Sequence, residues 1–131
     1  MKSEKLEMDK VAREAINVLI NHGYSYKEIY NALEYMAERD RLLTVVRVNG
    51  WDYTCEYETL PIQFIEEHAD QVNWNLVSIY QNLNSDLIDK FADKVDWFYI
   101  FLKQDLSDEL LCKYKERIRK AIHTKLYNAG K

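Results

Sequence analysis

The sequence predicts a mainly helical α+β protein: an N-terminal helix pair and one β-hairpin, packed on a short array of helical repeats. Three observations carry this. From Leu60 onward the chain nearly repeats itself every 23 residues. Glycine is scarce, with 3 in 131 residues, and Pro61 is the only proline, so long irregular loops are not expected. One Asn-Gly pair, Asn49-Gly50, lies between two runs rich in β-branched and aromatic residues. The expected division is residues 1–58 for the helix pair and hairpin, and 59–131 for the repeats with a basic C-terminal capping helix. The two parts should form one compact unit.

The first helix is expected from Glu4 to about Asn21, where Leu6, Val11, Ala15, Ile16, Val18, Leu19 and Ile20 recur at helical spacing. Gly23 suits the left-handed position just past its end. Ser25 and Glu28 then form a capping box, opening a second helix expected to run to about Arg41.

A hairpin follows in this reading. With Asn49-Gly50 as a type I′ loop, Val48 faces Trp51, Val46 faces Tyr53 and Thr44 faces Cys55. The other face pairs Arg47 with Asp52, worth about 0.2–1 kcal/mol. A competing pattern exists: Trp51 lies 23 residues before Trp74, and Cys55 and Tyr57 align with Ser78 and Tyr80. On that pattern residues 37–59 would be a degenerate first repeat. The local turn chemistry favours the hairpin.

The repeat itself is read from matched positions. Leu60, Leu83 and Leu106 open the copies; Val72, Val95 and Ile118, Trp74 and Trp97, and Gln81 and Gln104 recur within them. A unit this short cannot bury its own apolar face, so neighbouring copies must stack. Each copy reads as a helix, a break and a second short helix, with Asn84 or Ser85 and Asp96 as caps and Asn73 in the place of Asp96. Asp70, Asp93 and Asp96 are read as recurring caps rather than catalytic groups. The third copy loses its Trp, with Lys120 in that place, and is expected to be one longer basic helix to about Tyr127.

Net charge is −4. Residues 52–109 carry three basic and thirteen acidic side chains, and residues 110–131 carry seven basic and one acidic. The favoured reading is that the last helix folds back on the acidic repeats and neutralises them. The alternative is that Lys113, Lys115, Arg117, Arg119, Lys120 and Lys125 form a patch able to touch nucleic-acid phosphate. No apolar run approaches the roughly 20 residues of a membrane span, and the charged N-terminus shows no signal peptide. Cys55 and Cys112 lack metal spacing and are expected to be free thiols in apolar surroundings, which points to a reducing, cytoplasmic compartment.

His22, His68 and His123 have no partner at metal or triad spacing, and no glycine-rich loop or nucleophile motif is present. The chain is therefore read as not an enzyme, with no catalytic residue, metal or cofactor. Trp74 and Trp97 are expected to stack between repeats. Arg47, Asn49, Trp51, Asp52 and Tyr53, at the protruding hairpin tip, are the candidate partner-binding residues.

Two resemblances add to this. Residues 60–119, with Leu83, Ser85, Ile88, Phe91, Asp93, Val95, Asp96, Trp97, Ile100 and Gln104 in the second copy, resemble short Trp-containing repeats of uncharacterised phage and large-DNA-virus proteins. That resemblance implies a phage or mobile-element origin, with the cytoplasm of a host cell as the site of action. Residues 16–57, with Gly23-Tyr24-Ser25, Tyr30, Ala32, Leu33, Met36, Leu42-Leu43 and the Val-rich hairpin, resemble part of a PadR-type winged helix. The function expected is that of a non-enzymatic protein–protein interaction module, such as an anti-CRISPR-like inhibitor of a host defence system. The alternative is a winged-helix-like DNA-binding regulator.

Overall fold

The computed structural model describes residues 2–130, with side chains from Lys10 onward, and every regular element in it is a helix. In chain order these are α1 (Lys2–Asn21), α2 (Tyr26–Asn49), α3 (Trp51–Tyr57), α4 (Ile62–Glu67), α5 (Trp74–Tyr80), α6 (Ser85–Lys90), α7 (Trp97–Lys103), α8 (Asp108–Lys113) and α9 (Lys115–Ala129). The chain divides into two compact units, Met1–Arg41 and Leu42–Lys131, with the boundary inside α2.

In the first unit, α1 ends where Gly23 takes φ 97° and the Tyr24 amide donates back to Leu19 at 3.2 Å. Ser25 opens α2: its hydroxyl accepts from the Glu28 amide at 3.1 Å and donates to the Glu28 carboxylate at 3.2 Å.

The expected β-hairpin is absent, and the α+β class is corrected to all-helical among the described residues. The run Thr44–Val48 continues α2, and Trp51–Tyr57 is α3. A type I′ turn needs positive φ at both central residues. Gly50 has φ 89°, but Asn49 remains helical, and no non-glycine residue here has positive φ. Gly50 therefore breaks one helix and starts the next, its carbonyl accepting from Thr54 Oγ1 at 2.8 Å. Burial overrides local preference: Leu42, Thr54 and Cys55 are fully buried. With no strand pair among the described residues, the wing of a winged helix is missing too.

The second unit is built on the 23-residue interval. α3, α5 and α7 occupy positions 51–57, 74–80 and 97–103, while α4, α6 and α8 occupy 62–67, 85–90 and 108–113. α3 packs on α5, α5 on α7 and α7 on α9. Backbone torsions repeat as well: the residues ending α4, α6 and α8 are His68 (−117°, 31°), Phe91 (−110°, 34°) and Tyr114 (−111°, 17°). Helices of six or seven residues are not stable alone, so packing holds them. Phe64, Ile65, Val77, Leu87, Ile88 and Ile100 are fully buried, each contributing about 1.5–3 kcal/mol.

The tryptophans mark equivalent places. Trp51 packs on His68 at 5.4 Å, Trp74 on Phe91 at 5.0 Å and Trp97 on Tyr114 at 4.6 Å. The indole N–H of Trp74 donates to the Ala69 carbonyl at 2.8 Å, and that of Trp97 to Ala92 at 2.9 Å. The first repeat thus begins at α3, inside the segment expected to be a hairpin.

Two glutamines stitch the repeats together. Gln81 accepts from the Leu60 amide at 2.8 Å and donates to the Cys55 and Glu58 carbonyls at 2.8 and 2.7 Å. Gln104 accepts from the Leu83 amide at 3.0 Å and donates to the Ser78 and Gln81 carbonyls at 3.1 and 2.8 Å. Each of the four groups in one set, the glutamine and its three backbone partners, lies 23 residues from its counterpart in the other.

On the outside, acids of one repeat meet bases of the next: Glu66 with Lys90 at 3.9 Å, Asp70 with Lys94 at 3.6 Å, Asp89 with Lys113 at 2.9 Å and Asp93 with Arg117 at 2.7 Å. Asp70 and Asp93 therefore recur as inter-repeat ion-pair partners, not as caps. The capping groups are Asn73 on the Leu76 amide, Asn84 on Leu87, Asp96 on Phe98 and Ser107 on Leu110.

Candidate functional site

Aromatic side chains project from the stacked helices α3, α5 and α7. Tyr53 and Tyr57, one turn apart on α3, have ring centroids 4.8 Å apart. Tyr80 ends α5, and Tyr99 lies on α7, where Lys125 of α9 sits 5.1 Å over its ring. Tyr53, Tyr57 and Tyr80 are 43%, 67% and 51% exposed, while Tyr99 is half-buried. The repeat interval aligns Tyr53 with Leu76 and Tyr99, and Tyr57 with Tyr80 and Lys103. One strip of rings thus crosses three repeats.

Its electrostatics are set by nearby acids. The Glu56 carboxylate beside Tyr80 pushes that phenol above its ordinary range, with desolvation and the hydrogen bond to Glu56 adding in the same direction and Tyr57 and Tyr99 contributing less. The hydroxyl therefore stays protonated and can donate. Asp52, Glu56 and Glu58 belong to the same segment. The strip stands on fixed backbone, because Gln81 and Gln104 hold the carbonyls of Glu58 and Gln81, the residues immediately after α3 and α5. Broad rings, phenolic donors and an acidic margin suit contact with a surface that presents apolar and cationic groups.

The five candidate partner-binding residues are not gathered at a tip. Arg47 and Asn49 are exposed at the end of α2. Trp51 is half-buried against Phe64 and His68, and Asp52 accepts from Asn73 Nδ2 at 3.0 Å. Tyr53 alone joins the strip. Tyr57 and Tyr80, whose 23-residue alignment is visible in the sequence, lie on the strip and are not among those five.

The basic residues also divide. Lys113 and Arg117 are held by the acidic repeats, and Arg117 donates in addition to the Ala92 carbonyl at 2.9 Å. Arg119 pairs with Glu116 at 2.7 Å, and Lys125 lies over the rings of Phe98 and Tyr99. Lys115 and Lys120 have no ion pair among the described residues. Arg119 and Lys120 line a shallow recess of about 400 Å³ with His123 and Thr124.

His22 and His68 are tied to their own helices, each ring Nδ1 bonding the carbonyl four residues back, at 2.7 and 2.9 Å. Among the described residues no group of histidine, cysteine and carboxylate side chains could hold a metal ion. Cys55 is buried, and burial pushes its thiol above the ordinary value. Cys112 is exposed, which corrects the expectation that both thiols are enclosed. Among the described residues no helix is long and apolar enough to cross a membrane. Comparison with protein-family models, curated proteins and solved structures finds no match to this chain.

Proposed function

We propose that this chain is a non-enzymatic protein–protein interaction module whose contact surface is the tyrosine strip of α3, α5 and α7. The observation that carries this reading is the exposure of Tyr53, Tyr57 and Tyr80 on helices whose C-terminal ends are held by the hydrogen bonds of Gln81 and Gln104. Exposed rings on rigid backbone lose little entropy on binding, and tyrosine is enriched among residues that dominate interface energy. The acidic margin selects a partner surface with arginine or lysine among its apolar groups. The module acts by covering that surface. In a phage or mobile element, the same occlusion would act on a host defence protein.

The test is affinity purification with mass spectrometry using three baits: the native chain, Tyr57→Ala/Tyr80→Ala, and Lys115→Ala/Lys120→Ala. A protein recovered with the native and lysine-variant baits, and reduced at least about tenfold with the tyrosine variant, supports the reading; that loss corresponds to roughly 1.4 kcal/mol. Recovery of nucleic acid in place of protein, lost with the lysine variant, overturns it.

A further inference from the structure

The first unit has almost no interior. Ile29, at 6% exposure, is its one buried apolar residue among the described side chains, and Ile16 and Ile20 are half-buried. Leu19, Tyr24, Tyr26, Tyr30, Leu33 and Met36 are each between 40 and 70% exposed. Tyr26, Ile29, Tyr30, Leu33 and Met36 recur at three- and four-residue spacing, so they share one face of α2. Leu19, Tyr24, Ile29, Leu33 and Met36 line an open apolar groove of about 400 Å³. Both helices nevertheless carry built ends, at Gly23 and at Ser25–Glu28. A pair of helices this short does not supply a stabilising core by itself.

We infer that α1 and the part of α2 up to Arg41 form a homodimer interface, in which two helix pairs meet across a two-fold axis as a four-helix arrangement. Two arguments select a second copy as the occupant. The first is area. A half-exposed large apolar side chain shows on the order of 100 Å². The six residues above total roughly 600 Å², which falls at the lower end of the about 600–1,000 Å² per partner of a stable interface. The second is charge. Residues 1–41 carry seven basic and eight acidic side chains, so this unit does not repel its own copy.

Sedimentation equilibrium at micromolar concentrations tests this with the native chain, Leu33→Asp/Met36→Asp and Tyr26→Lys/Tyr30→Lys. The native chain is expected at twice the 15.7 kDa of one copy, and both variants at the monomer mass. The thermal transition of the repeat unit, followed by near-ultraviolet circular dichroism of its tryptophans, should persist in both. All three tryptophans lie beyond Arg41, so that signal reports the second unit and separates loss of the interface from loss of the fold. A monomeric native chain overturns the inference, including one that carries a different bound protein. So does dimerisation that survives both variants, or a native mass above the dimer. The outcome is independent of the tyrosine strip, which lies on other helices.

Discussion

The side-chain amide of Gln104 donates to the backbone carbonyl of Gln81 at 2.8 Å, while the amide of Gln81 donates to the carbonyl of Glu58 at 2.7 Å. One clamp therefore hangs from the next. Each glutamine occupies the residue after a short helix, accepts from the leucine that opens its repeat, and holds two carbonyls of the repeat before.

Gln81→Ala should be among the most damaging single substitutions. It would strip partners from the Leu60 amide and from the carbonyls of Cys55 and Glu58, in a site where Gln81 is 4% exposed. Unsatisfied buried groups cost about 1–3 kcal/mol each, so a loss of about 3 kcal/mol in denaturant unfolding is expected. Gln81→Glu should not rescue it, because a carboxylate accepts but cannot donate to the two carbonyls.

Trp97→Ala should cost about 3–5 kcal/mol, as large buried aromatics do. Trp97→Phe keeps most of the packing on Tyr114 and loses the indole bond to Ala92, for about 1 kcal/mol. Trp74→Phe should cost a similar amount through Ala69. Parallel denaturation of the two phenylalanine variants checks the equivalence.

Gly50→Ala should destabilise by about 1–2 kcal/mol. An added Cβ would meet nothing within 4 Å, so the cost arises from φ 89° and not from crowding. Far-ultraviolet circular dichroism should stay helical, whereas a hairpin broken at its turn would lose strand signal. A thermal melt gives the magnitude.

Acid should weaken the outer ladder at Asp89. The hydrogen bond from Tyr114, reinforced by Lys113, holds this carboxyl below its ordinary value. A lowered folded-state pKa adds stability that is present above the unfolded value, about 4, and lost as pH falls through the folded one. In unfolding midpoints followed against pH, Asp89→Asn should differ from the native chain at neutral pH, and the gap should close below that range. Tyr114 and Lys113 are shifted upward, chiefly by the same Asp89 contact. Their contribution is full below their unfolded values, near 10, and fades above them.

Much of this fold could be read where a chemical signal repeated. The capping box at Ser25 and Glu28, the left-handed Gly23, and the caps at Asn84 and Asp96 were legible because each needs only a few adjacent residues. The hairpin was misread because Asn49-Gly50 is a strong local signal, while the competing signal at Trp51 becomes decisive only through burial against Phe64 and His68. Asp70 and Asp93 were recurrent in sequence, but their ion-pair partners lie 24 residues away, beyond any local pattern. The periodicity of Gln81 and Gln104 was plain, whereas their six backbone bonds depend on how the repeats stack. The alignment of Tyr57 with Tyr80 was visible in the sequence, but the hairpin assignment put Tyr57 on a strand, so its shared outward position with Tyr80 on stacked helices was not.

The segment from Leu83 to Asp105 holds one member of most couplings that join it to its neighbours: the Gln104 amide that donates to Ser78 and Gln81, Phe91 for the preceding indole, Trp97 for the following ring, Lys90 and Lys94 facing backward, Asp89 and Asp93 facing forward. Such a block is self-compatible. Copying it in tandem would lengthen the protein while keeping these ring contacts, ion pairs and glutamine bonds, and would lose only the bond from the Asp96 amide to Ser78 Oγ, because Phe101 stands 23 residues after Ser78.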